Sequence, residues 1–289
     1  MRVLSIPALL LLLAAPPATA QRSDADLRSA IGRAEADPTP QNLLAASNAA
    51  RLMRDFEASD DYLNQAWQTS GPMFNGLINN TLSQQVSSGG GVAGAQRAFR
   101  ELQSTFHFGP IQISNIAGNF PEILASGEYD EMILRLSPDA EDPQYRCACY
   151  NTQAWVHRLA GRHDEARAIW ATLVEGQIEA VNDAPNKDAE ANTRGQYARN
   201  LARAGQTAEA RRQLEISMNT EVSDAALPGV RRRWAQAFAE LGDVEGVVEH
   251  LEALLQMNSP ITIHTLESHV AWDGVRNDAA FQAMLDRHR

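Results

Sequence analysis

Small and apolar residues recur along this chain in one fixed spacing, written most plainly three times between Tyr150 and Leu251. Counted from Gly161, Gly205 and Gly242, a small residue lies seven positions earlier, at Ala154, Ala198 and Ala235. A residue able to pack closely lies five positions later, at Ala166, Ala210 and Val247, and a large apolar one nine later, at Trp170, Leu214 and Leu251. The spacing within each copy is helical, so each predicts a helix, a glycine turn and a second helix. A small side chain on the first helix lets the second approach closely, the large one fills the gap between pairs, and glycine tolerates the positive φ that ends the first helix.

The same template extends toward the N-terminus. Gly127 follows Phe120, Ile123 and Leu124 and precedes Tyr129, Met132 and Leu136; Gly90 follows Ser83 and Val86 and precedes Ala95, Phe99 and Leu102. A weaker copy has Arg54 at the turn, with Ser47, Ser59, Leu63 and Ala66 around it. The turn positions 54, 90, 127, 161, 205 and 242 are spaced by 36, 37, 34, 44 and 37 residues, about one helical hairpin each. Before them, Leu27, Ile31 and Ala34 predict a short amphipathic helix over 24–36, stopped by Asp37, Pro38 and Pro40. The pattern predicts an all-α chain of stacked hairpins.

These phrases resemble tetratricopeptide repeats, of an exported bacterial type: Ala198, Gly205, the pair Glu209 and Ala210, and Leu214 match that family nearly position for position. The 44-residue step, with extra chain around Asp183 to Asp188, departs from the pattern, and the helix-terminating proline occurs only as Pro260. The resemblance implies a right-handed α-solenoid over 41–260, preceded by a helical lead over 21–40. It also implies a cap over 261–289, with Trp272, Val275, Phe281 and Leu285 covering the last hairpin. In this family first helices line a concave groove that holds a peptide or protein segment. Carried onto this chain, the groove positions are Asn151, Trp155, Arg158, Arg199, Arg203, Arg232 and Gln236. Guanidinium groups hold carboxylates in a fork, so an acidic segment or chain terminus is the expected ligand. The competing reading is that these arginines pair with Glu on neighbouring helices or point into water.

Composition narrows the functional classes. The net charge of −11 argues against a nucleic-acid or anionic-membrane binder, and Lys187 is the only lysine, so the positive charge is almost all arginine. Residues 1–20 read as a cleavable signal peptide, with Arg2, an apolar run from Leu9 to Ala15, and Ala18 and Ala20 at a cleavage site, which predicts a periplasmic or secreted protein. No other stretch is apolar over a membrane-spanning length.

Candidate chemistry is sparse. The glycine run Gly89, Gly90 and Gly91 lacks the Lys and Ser or Thr of a phosphate loop and predicts a flexible inter-helix turn. Cys147 and Cys149 are the only cysteines; they read as buried thiols, a strained redox pair or a soft-metal site. The seven histidines form no metal-ligand spacing, and no nucleophile motif occurs. The sequence therefore predicts a non-enzymatic protein-protein interaction scaffold with no cofactor or metal. The alternative is a redox-active or thiol-dependent accessory protein using Cys147 and Cys149 on the same helical frame.

Overall fold

The computed structural model describes residues 24–69, 75–105, 150–259 and 261–289. The proposed leader, the hairpin around Gly127, Cys147, Cys149 and Pro260 lie outside the described residues. Within them the chain is all-helical, with no strand. The N-terminal part comprises α1 (Asp24–Ala36), α2 (Pro40–Leu52), α3 (Phe56–Thr69), α4 (Asn75–Gln85) and α5 (Gly91–Thr105). The part that carries the strong pattern comprises α6 (Tyr150–Leu159), α7 (His163–Asn182), α8 (Lys187–Arg203), α9 (Thr207–Met218), α10 (Leu227–Glu240) and α11 (Val244–Leu255). After these come α12 (Ile263–Ser268), a 3-10 turn at Val270–Trp272, and α13 (Ala279–His288).

The turns form as the spacing requires. Arg54, Gly161, Gly205 and Gly242 have φ of 63°, 77°, 81° and 69°, and each is followed by a residue whose amide reaches back five positions. Asp55 N donates to Ala50 O at 2.9 Å, Arg162 N to His157 O at 2.9 Å, Gln206 N to Leu201 O at 2.8 Å and Asp243 N to Phe238 O at 2.9 Å. This is the left-handed helix stop that satisfies the orphan carbonyls of the last turn. Arg54 makes the same turn as the glycines, at the steric cost its Cβ brings to that region.

The glycine run behaves differently from the other turns. The positive φ falls at Gly89 (100°) and Gly91 (56°), not at Gly90, and Val86–Gly90 forms a π turn linking α4 to α5. A Cβ on Gly90 would lie 2.8 Å from Gln85 O and one on Gly89 3.3 Å from His264 Nε2, so packed neighbours fill the space at both positions.

Packing follows the template. Ala154, Ala198 and Ala235 are fully buried, as are Ala210, Val247 and Leu251. α8 packs on α7, α9 and α10, and α10 packs on α11. In the first copy the small positions are serines, and they bond to one another: Ser47 Oγ lies 3.1 Å from Ser59 Oγ, which reaches Gln84 Oε1 at 2.9 Å. The 44-residue step is absorbed mainly by longer helices, since α7 has 20 residues and α8 has 17, with Asn186 capping α8 by accepting from Ala189 N.

The C-terminal segment does more than cover the last hairpin. Trp272, Val275, Phe281 and Leu285 share one core with Leu251 and Leu254 of α11. However, α12 also packs against the π turn and α5, and the N-terminal turn reaches α11 through Arg54 Nη2, which donates to Leu255 O at 2.7 Å. The two ends of the described chain therefore touch, where the sequence implies a row capped at one end.

Candidate binding site

The first helices of the three strong hairpins bring their polar positions together by repeat register. Arg199 and Arg203 on α8 lie one turn apart, and the equivalent positions on α10, 37 residues later, are Gln236 and Glu240. Arg199 Nη1 donates to Gln236 Oε1 at 2.5 Å, and Arg203 Nε to Glu240 Oε1 at 2.6 Å. Arg158 at the end of α6 donates from Nη1 to the other oxygen of Glu240 at 2.8 Å. One carboxylate thus serves two guanidinium groups. Burial would raise the Glu240 pKa, but the charges and hydrogen bonds of Arg203 and Arg158 together hold it below the ordinary value.

Aromatic rings complete this corner. Trp155 and Trp170 meet edge to face, with centroids 5.8 Å apart and planes at 87°. The Arg203 guanidinium carbon lies 4.5 Å from the Trp155 centroid and 5.1 Å from that of Trp170, and Arg158 lies 5.1 Å from Trp155. Trp170 Nε1 donates to Asn151 Oδ1 at 3.3 Å. Beside them an open cleft of about 630 Å³ is lined by Arg158, His163, Arg167, Trp170, Arg203 and Glu240.

The seven expected groove residues are not all surface residues. Trp155 is 3% exposed, Arg199 7%, Arg203 6% and Gln236 6%, whereas Asn151, Arg158 and Arg232 are half-buried. The close approach of α8 and α10 explains the difference. Ala198 and Ala235 are small and fully buried, and Gly195 sits so tightly against α10 that a Cβ there would lie 3.1 Å from the Arg233 Cβ. Side chains that face inward at this crossing are covered by the neighbouring helix.

Two further arginines belong to the group, neither predicted from the sequence. Arg233 follows Arg232 on α10, and Arg51 sits at the end of α2. Burial, then repulsion from Arg232, lowers the Arg51 pKa to about 10; burial, then repulsion from Arg232 and Arg203, lowers that of Arg233 to about 9. Burial also lowers Arg232, and takes Arg199 well below its usual value with added repulsion from Arg203 and Arg233. Arg51 Nη2 reaches Asn48 Oδ1 at 2.8 Å, but the buried Nε atoms of Arg51, Arg199 and Arg232, and both Nη atoms of Arg203, have no hydrogen-bond partner among the described residues. A register signal for Arg51 was present in the sequence, because it stands three residues before turn position 54 as Arg158 stands three before Gly161. Glu240 likewise stands two before Gly242 as Arg203 stands two before Gly205.

A charge taken from water is costly unless paired, and among the described residues Arg199 and Arg203 are buried here with Glu240 as the paired carboxylate. Among the described residues no three His, Cys, Asp or Glu side chains are grouped as metal ligands, and no helix is long and apolar enough to cross a membrane. No protein-family model matches the sequence, and no curated protein matches it.

Proposed function

We propose that this chain is a non-enzymatic interaction scaffold, built of tetratricopeptide-like hairpins stacked as a right-handed solenoid, that holds an acidic peptide or protein segment against its inner face. The observation that carries this reading is the charge imbalance at Arg51, Arg199, Arg203, Arg232 and Arg233, where Glu240 is the one carboxylate paired among the described residues. The chain as a whole is acidic, so this face is a local reversal of sign, and it favours an acidic partner over the rest of the surface. Arg232 and Arg233, half-buried and without a hydrogen-bond partner among the described residues, are the groups best placed to meet a ligand. The leader-like N-terminus supports a place in the periplasm or cell envelope.

The test is charge selectivity. A glutamate-rich peptide and its glutamine counterpart are titrated into the protein by fluorescence polarisation. The reading expects binding of the glutamate peptide alone, weakening with salt. Equal binding of both peptides, or of neither, refutes it.

A further inference from the structure

The cleft beside the tryptophan pair lies where three helices end or begin: α6 closes just after Arg158, α7 opens at His163 and α8 closes at Arg203. Its volume is about 630 Å³, and Arg158, Arg167, Arg203 and Glu240 all line it, beside Trp170 and the turn at Gly205.

Two of these arginines are fixed before any ligand arrives. Arg203 and Arg158 each donate to one oxygen of Glu240, at 2.6 and 2.8 Å, and their guanidinium carbons lie 5.1 and 5.9 Å from the Trp170 centroid. The Arg203 side chain is fully buried, so it acts on the cleft through its charge and not by contact. Arg158 keeps 27% of its side chain exposed and Arg167 57%, which leaves both able to touch a ligand. Arg167 lies along the turn, since a Cβ on Gly205 would be 3.5 Å from Arg167 Cδ. Its ion pair with Asp164, at 3.2 Å, is open to water and contributes little.

Charge and size define what the cleft takes. Within its lining three guanidinium groups stand against the one carboxylate of Glu240, which leaves two positive charges in excess. A phosphoryl group carries about −1.5 to −2 near pH 7 and balances that excess, where a single carboxylate does not. Low-dielectric walls concentrate the field of such a cleft on whatever enters it. Small-molecule pockets run from about 300 to 1,000 Å³, and one tetrahedral group alone would leave most of this volume unfilled. Ala166, Ala202 and Ala204 add small apolar lining on which an organic body can rest.

We propose that this cleft binds a small-molecule phosphate monoester, with Arg158 and Arg167 donating to the phosphoryl oxygens and the organic body against the alanine wall. The site goes beyond the inner-face reading and does not depend on it, because Arg167 and Trp170 are not among the arginines that carry that reading, and Arg232 and Arg233 do not line the cleft.

The test titrates phenyl phosphate into the isotope-labelled full chain, following the amide signals of Ala166 and Gly205 and the indole N–H of Trp170 by nuclear magnetic resonance. Sodium chloride of matched ionic strength, benzoate and inorganic phosphate are the comparisons. Saturable shifts at those three groups are expected, with phenyl phosphate binding more tightly than benzoate or inorganic phosphate. Arg167→Gln is expected to weaken the midpoint by about tenfold or more, the loss of one charge-assisted hydrogen bond. Arg232→Gln with Arg233→Gln is expected to leave it unchanged. A response no larger than that of chloride overturns the proposal, as does an unchanged midpoint in folded Arg167→Gln. Benzoate or inorganic phosphate binding as tightly as phenyl phosphate overturns it too, since either removes the monoester as the ligand class. Charge-selective peptide binding that persists beside such a result leaves the inner-face reading standing, and loss of peptide binding alone leaves this site standing.

Discussion

Arg203 donates from Nε to Oε1 of Glu240 at 2.6 Å across 37 residues, the same interval that separates Gly205 from Gly242. The pair is a repeat-register contact: two equivalent positions on successive first helices, one cationic and one anionic, brought face to face by the small residues at the α8 and α10 crossing. Its chemistry sets the first prediction.

Glu240→Ala leaves Arg203 buried without its carboxylate and Arg158 without its bond, so it is expected to destabilise by about 3–5 kcal/mol in urea denaturation. Arg203→Glu is expected to be similarly severe, because it places two buried carboxylates together. The folded Glu240 pKa lies below 4.5, so its contribution is present above pH 4.5 and is lost as pH falls through the folded value. That acid-side loss is expected to be absent in Glu240→Gln.

His250 predicts a second, separate pH effect. It is 5% exposed, stacks on Phe238 at 5.5 Å, and faces Trp234 and Arg231. Burial lowers its pKa below 6.5; Arg231 adds to the shift and Glu249 opposes it. The unfolded chain therefore takes up this proton first as pH falls. Stability is expected to decline as pH drops below 6.5 and to level off below the folded pKa. Urea midpoints measured across that range check it, and His250→Phe is expected to remove this component.

Ala198 is fully buried on α8, which packs against α7, α9 and α10. Ala198→Leu is expected to cost about 1–3 kcal/mol in chemical denaturation, since the added bulk must displace packed neighbours. A wild-type urea midpoint in that variant would contradict the account of the crossing.

Much of this fold was legible because the signals are local and repeated. Gly205 and Leu214 announce a turn and the residue that packs beneath it, and even Arg54, a poor residue for positive φ, was placed by register alone. Gly90 itself does not carry the left-handed turn because a run of glycines offers several such positions, and the neighbour packed against Gly89, His264, comes from the far end of the chain. The same limit hid the junction of Arg54 with Leu255, since a hydrogen bond between residues 201 apart leaves no period in the sequence. Arg199 and Arg203 read as surface because charged side chains at helical spacing usually are; their burial depends on how closely α10 lies across α8. Arg51 and Glu240 do carry a sequence signal, since each stands just before a turn at a position that is also polar in another copy.

Arg232 and Arg233 of α10, which have no hydrogen-bond partner among the described residues, are proposed to hold an acidic ligand, and calorimetric titration of a glutamate-rich peptide into the wild-type chain and into Arg232→Gln with Arg233→Gln tests this most directly. Both substitutions keep a polar side chain at half-buried positions, so helical circular dichroism is expected to be unchanged. The account predicts a loss of affinity of about tenfold or more, equivalent to about 1.4 kcal/mol. Equal affinity in the wild type and the folded double variant would contradict it.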